Sequence, residues 1–282
     1  MASRKEQKEA ARQRRLAEQQ AAAERVTRIR RLRIFGGAVA TAVVVVAVAI
    51  ALSAGGGKAV SSVRSPAARA AQAHVDGLLA GIPESGATLG RPSAPVTVTE
   101  YGDLECSVCD VLATPPSFTN PEGERGSGWL DKLITDYVRT GKAKLVYRSL
   151  ETASSLNPDQ NAFMQQQVAA YAAGLQDKAW YYIELMYNEQ GHEGTNYVTQ
   201  SYLDGLAKQI PGLDYSRWMA DRKLPSLVAQ VNADNTAGIA VNGAANTGTP
   251  TLVFQGPRGQ LHFPAGLPAT YSAITGAISK VS

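Results

Sequence analysis

The chain has 282 residues, enough for one or two domains with a core that needs no staples. Its 28 Lys+Arg outnumber 24 Asp+Glu, but residues 1–33 hold 11 basic and 4 acidic residues, leaving 17 basic and 20 acidic in 34–282. The positive charge belongs to a tail, which excludes reading the whole protein as a nucleic-acid-binding surface.

Residues 5–33 are rich in Ala, Arg, Gln and Glu and show no apolar stripe, the pattern of a solvated basic tail that touches anionic headgroups; a partner-binding role stays open. Ile34 to Ala54 follows, 21 residues without a formal charge. At about 1.5 Å per residue it matches the roughly 30 Å hydrocarbon layer of a bilayer. The rival reading is a cleaved signal peptide, for which Leu52-Ser53-Ala54 supplies small residues. The basic region before it is longer than a signal's, so one transmembrane helix is expected, with Arg28, Arg30, Arg31 and Arg33 on the cytoplasmic side. Everything after residue 54 then lies outside the cell membrane, where disulfides persist.

Residues 55–85 read as an extracytoplasmic linker. It opens with Gly55-Gly56-Gly57 and carries a short helix from Pro66 to Leu79 that ends at Gly81. A domain over 86–282 is expected after it. Pro95-Val96-Thr97-Val98-Thr99 alternates β-branched residues and predicts a strand over about 95–101. A helix starting at Cys106 is broken by Pro115-Pro116 and the glycines up to Gly128. Helical pattern resumes from Trp129 to Val138, and a strand follows from Lys144 to Leu150. A helical block over about 156–225 carries Met164, Val168, Tyr171, Trp180, Ile183 and Tyr202 at core spacing. Leu227 to Ile239 predicts another helix, Thr251–Phe254 and Leu261–Phe263 a hairpin around Gly256-Pro257-Arg258-Gly259, and 269–280 a closing helix. The order is β-α-β, a helical block, then α-β-β-α. This describes an α/β, thioredoxin-like fold with an inserted helical subdomain.

The only two cysteines, Cys106 and Cys109, stand three positions apart between the first strand and its helix. That spacing suits a disulfide that opens and closes with little backbone movement. Zinc would need four ligands, and His74, His192 and His262 do not stand at ligand spacing. An inert structural disulfide is the other reading, although so small a ring removes little chain entropy. At a helix start, Cys106 meets unpaired N–H groups and the helix dipole, which favour its thiolate. Asp103, Glu105 and Asp110 are expected as exposed charges around the pair; close to it, they would oppose that thiolate.

Residues 94–109, ending Glu105-Cys106-Ser107-Val108-Cys109, are similar to the opening strand and active-site turn of the DsbA-like, membrane-anchored thiol–disulfide oxidoreductases of bacteria. Asn246-Thr247-Gly248-Thr249-Pro250-Thr251-Leu252-Val253-Phe254 resembles that family's loop with a cis-proline, and Ala179 to Tyr187 is similar to a helix of its inserted subdomain. The resemblance covers roughly 86–282. It implies that Cys106 attacks, that Cys109 resolves, and that Glu100 lies beneath the disulfide and relays the proton of Cys109. From the residues alone, Glu100 is equally a partly solvated strand-end carboxylate. The resemblance also implies a cis Thr249–Pro250 bond, with the Thr249 backbone free to pair with an extended substrate peptide; the rival is an ordinary turn leading into a strand.

Family members commonly carry proline and an aromatic or histidine between the cysteines, where this chain has Ser107 and Val108, and segment 112–128 reads as an insertion. Without that histidine, thiolate stabilisation is expected to be weaker than in the strongest oxidants. The function implied is an extracytoplasmic oxidase of cysteine pairs in exported proteins, reoxidised by a quinone-linked membrane partner. No metal or organic cofactor is expected beyond the Cys106–Cys109 disulfide. A reductase or isomerase of the same fold, or a redox-silent peptide-binding module, are the alternatives.

Overall fold

The computed structural model describes residues 65–282. The basic tail over 1–33, the apolar segment 34–54 and the glycine tether lie outside the described residues. Among the described residues no helix is long and apolar enough to cross a membrane.

Helix α1 spans Pro66–Leu79. The Ser65 hydroxyl accepts a hydrogen bond from Ala68 N at 3.0 Å, Pro66 occupies the first turn, and Gly81 beyond the end takes φ 72°. Its apolar face, Ala68, Ala71, Val75, Leu78 and Leu79, is buried, and the helix packs on α5 (Ala179–Asn188). Two short strands follow, β1 (Glu84–Ser85) and β2 (Thr88–Leu89). The compact unit therefore begins before residue 86. A segment expected to be a linker carries its own apolar stripe into the core.

Strand β3 (Val96–Gly102) is central. It pairs in parallel with β4 (Ala143–Ser149) and antiparallel with β5 (Thr251–Gly256), and the six-stranded order is β1-β2-β4-β3-β5-β6, with β6 over Gly259–His262. Helix α2 (Ser107–Ala113) follows β3 and stops at Thr114, before Pro115-Pro116. Helix α3 (Trp129–Leu133) continues as a wider π-helical turn over Ile134–Val138, where the sequence pattern predicts one α-helix. After β4 and a 3₁₀ turn (Ala153–Leu156) come the inserted helices α4 (Ala162–Gly174), α5, α6 (Gln200–Ala207) and α7 (Tyr215–Asp221). Helix α8 (Pro225–Asn242) packs on β4, and α9 (Tyr271–Val281) packs on β5. This is the thioredoxin-like fold with a helical insertion.

Parallel pairing puts the C-terminal ends of β3 and β4 at one edge of the sheet, and antiparallel pairing puts the start of β5 there too. Three chain segments, the β3–α2 turn, the 3₁₀ turn and residues 249–250, meet at that edge.

Trp180, fully buried, ties the insertion to the sheet: its indole N–H donates to Ala87 O at 2.9 Å, and its backbone N–H donates to Glu84 Oε1 at 2.7 Å. Replacing it by Ala removes a large core side chain and that indole bond. Trp180→Ala is expected to cost about 3–5 kcal/mol, read as a lower urea midpoint with an unchanged slope.

Candidate active site

Cys106 is the N-cap of α2 and 6% exposed; Cys109, one turn in, is fully buried. Both are free thiols. The Cys106 Sγ donates to Thr249 O at 3.6 Å, which joins the cysteine turn to the start of β5. The Thr249–Pro250 bond is cis, as the resemblance implies. The β5 ladder begins at Thr251, paired with Tyr101, so Thr249 and Pro250 stand outside it.

The two thiols are electrostatically unequal. Cys106 is lowered from the ordinary thiol value, chiefly by the hydrogen bond from the Cys109 thiol and also by Thr249 and the Cys109 backbone, against burial and the charge of Asp103. Cys109 is pushed well above it by burial, by the hydrogen bond to Cys106, and by the charges of Cys106 and Glu100. One sulfur is prepared to ionise and the other to hold its proton.

Glu100 is buried in β3, so the strand-end reading gives way to an acid inside the protein, within electrostatic reach of Cys109. Burial raises its pKa to about 7, opposed by a hydrogen bond from Tyr187 Oη at 3.1 Å. Gly102 makes room for this pair: a Cβ there would lie 2.7 Å from Tyr187 Oη and 3.2 Å from Glu100 Oε1.

Asp103, Glu105 and Asp110 are fully buried, not exposed. Each has a cover that the sequence pattern does not announce. Asp103 accepts from the backbone N–H groups of Glu105, Thr152 and Ser154. Glu105 accepts from Asn157 Nδ2 at 2.7 Å and from Gln166 Nε2 at 3.1 Å. Asp110 accepts from the Thr114 hydroxyl at 3.1 Å. Burial, the largest cause for all three, raises Asp103, takes Glu105 to about 7, and takes Asp110 to about 8.

Residues that the sequence did not single out also hold the turn. Gln190 Nε2 donates to Leu104 O at 2.8 Å, and Glu193 Oε2 accepts from Ser107 N at 3.0 Å. Segment 114–128 folds against α2 through Ser127 N to Val111 O, 2.7 Å, and Gly128 N to Thr114 O, 2.8 Å. Its Glu122 accepts from Glu193 N at 2.8 Å and pairs with His192 at 3.1 Å. A readable signal was present in α4: Gln166 and Gln167 interrupt a run otherwise apolar and aromatic, as buried polar partners do. Among the described residues no group of three or more His, Cys, Asp or Glu side chains could hold a metal.

The buried acids fix a pH dependence. Glu100 and Glu105 stand near 7 and Asp110 near 8 in the fold, against 4.5, 4.5 and 3.8 for free groups. Between those limits the folded state binds more protons than the unfolded chain, so their contribution is complete below about pH 4 and is lost as pH rises through about 7–8. Urea midpoints are expected to be higher at about pH 5 than at about pH 8, with a smaller difference in Glu105→Gln.

A thioredoxin family model matches residues 83–258. The probable disulfide bond formation protein D of Bacillus anthracis is 23% identical over 152 residues, covering 52% of this chain. The match spans 61% of that relative, less than two thirds of its length. The crystal structure of oxidised BdbD from Bacillus subtilis superposes with a TM-score of 0.52 at 20% identity, over 70% of this chain and 95% of that one. The thiol-disulfide exchange protein alpha-DsbA2 from Wolbachia pipientis gives 0.50 at 15% identity, over 76% and 96%. Both share the fold of this chain.

Proposed function

The chain belongs to the thioredoxin family, in the DsbA-like form of its fold, and from that premise we propose that it is a thiol–disulfide oxidoreductase that oxidises cysteine pairs of exported proteins. The observation that carries this reading is the unequal pair, an ionisable Cys106 facing Thr249 O and a buried, proton-holding Cys109 beside Glu100. The name of the Bacillus anthracis relative, a probable disulfide bond formation protein, supports the same direction.

In the proposed cycle a substrate thiolate attacks Cys106 Sγ of the Cys106–Cys109 disulfide. A substrate–Cys106 bond forms, the Cys106–Cys109 bond breaks, and Cys109 leaves as a thiolate. Its high pKa makes it the stronger base, so it takes the proton of Glu100, whose pKa is about 7. The second substrate thiolate then attacks the substrate sulfur of the mixed disulfide and Cys106 leaves, its lowered pKa making it the better leaving group. Two electrons pass from substrate to the cysteine pair, and reoxidation passes them to a quinone-linked membrane partner. Thr249, outside the β5 ladder and held by the cis bond to Pro250, offers its backbone groups to an extended peptide that passes Pro250. Leu156, 65% exposed on the 3₁₀ turn, and Leu267, in the loop whose Gly266 N donates to Pro250 O, offer apolar contacts. Residues 34–54 would anchor the chain as a single-pass helix, with the catalytic domain outside the cytoplasm. The cysteine pair itself is the redox group, and no metal or organic cofactor enters the cycle.

The test is oxidation of a reduced two-cysteine peptide by the full chain, together with its reduction potential in glutathione buffers. Cys106→Ser is expected to abolish oxidation, and Cys109→Ser, given the oxidised peptide, to hold a mixed disulfide through Cys106, the peptide's other sulfur leaving as a thiolate with no Cys109 to displace it. Glu100→Gln is expected to slow the exchange and to flatten its pH dependence near 7. A potential approaching about −120 mV supports an oxidase, whereas one near or below about −270 mV would overturn it in favour of a reductase.

A further inference from the structure

The exchange steps above make no use of Asp103 or Thr152, yet both are built into the site. Asp103 is fully buried three positions before Cys106, and its backbone O accepts from Cys106 N at 3.0 Å. Its Oδ1 accepts from Glu105 N at 3.1 Å and from the Ser154 hydroxyl. Its Oδ2 accepts from Thr152 N at 2.8 Å, Ser154 N at 2.9 Å and the Thr152 hydroxyl at 3.4 Å. Three of these five donors are backbone N–H groups that cannot reverse. The pocket is therefore shaped for the carboxylate, although burial works against the charge.

Thr152 carries the contact onward. Its hydroxyl lies 2.6 Å from the Thr249 hydroxyl, and Thr249 O lies 3.6 Å from Cys106 Sγ. The path from Asp103 through Thr152 to Thr249 thus returns to the sulfur three residues beyond its start. It joins the end of β3, the segment that enters the 3₁₀ turn, and the residue before Pro250.

We propose that Asp103 is a positioning residue with two effects: through Thr152 it holds Thr249 in register with Cys106 for peptide binding, and by its charge it restrains formation of the Cys106 thiolate. The inference deepens the exchange reading and its peptide half rests on it. The restraint has a geometric basis: Asp103 is buried three positions before Cys106, its backbone O holds Cys106 N at 3.0 Å, and its charge acts against ionisation of that sulfur. Glu105 and Glu151 are the other acids that face Asp103; both are raised chiefly by burial and further by its charge. The clamp needs only the hydroxyl of Thr152.

Two measurements on the full-length reduced and oxidised protein test the two effects. The first is the titration of the Cys106 thiolate, followed by its ultraviolet absorbance. Removal of a like charge in Asp103→Asn is expected to lower the Cys106 pKa, so that the absorbance rise moves to lower pH. The second is the kinetics of oxidation of a reduced two-cysteine peptide. Thr152→Val is expected to raise KM about two- to tenfold, the size of one lost hydrogen bond, with a smaller change in kcat, and Thr152→Ser to restore it. A Cys106 titration unmoved by Asp103→Asn overturns the charge effect. A wild-type KM in Thr152→Val overturns the clamp, and reads it even where Asp103→Asn does not fold. The titration uses no substrate, so its result stands apart from whether the wild type oxidises peptides at all.

Discussion

Water is excluded from the edge of the sheet where β3 ends, and four carboxyls lie within that dry region: Glu100, Asp103, Glu105 and Asp110. Desolvation is the largest influence on every one of them. A carboxyl in such a place either keeps its proton or is surrounded by donors. Glu100, with one donor, has a pKa of about 7. Asp103, with five, has the partners of an anion. Burial thus raises two acids three positions apart, which differ in how many donors oppose it.

That dryness comes from the helical insertion and the turn before it. Asn157 and Gln166 cover Glu105, Ser154 covers Asp103, and Tyr187 from α5 reaches Glu100. A bare strand-turn-helix with the same cysteines would leave these acids in water, with ordinary pKa values and no reason to act on the sulfurs. The insertion shapes the electrostatics of the cysteine pair as well as adding surface.

The order of elements was legible in the sequence because its signals are local: alternation in β3, the stop at Pro115, the hairpin at 256–259, the helical stripe of Trp180 and Ile183. Cys106, Cys109 and the Thr249–Pro250 loop were legible because two short motifs carry them. The burial of Asp103, Glu105 and Asp110 was not. Nothing within three residues of an aspartate reveals that Ser154, 51 positions later, donates to it. The start of the compact unit was missed for the opposite reason: α1 has a readable apolar face, but only its packing on α5 makes that face part of the core.

Ser107 and Val108 between the cysteines supply no cation and no titrating group, so the thiolate of Cys106 depends on Cys109 and on what approaches from outside the motif. Favourable contributions come from Cys109 and Thr249; Asp103 opposes them. Glu193, brought to Ser107 N by a loop that is itself held by Glu122 of the 114–128 segment, occupies a donor at the start of α2. That bond satisfies one of the free N–H groups at the helix terminus beside the sulfur. In this chain the balance of the cysteine pair is therefore distributed over the start of β5, the 3₁₀ turn and two loops. A change in any of those segments alters a hydrogen bond that holds the turn around the sulfur, without a substitution between the cysteines.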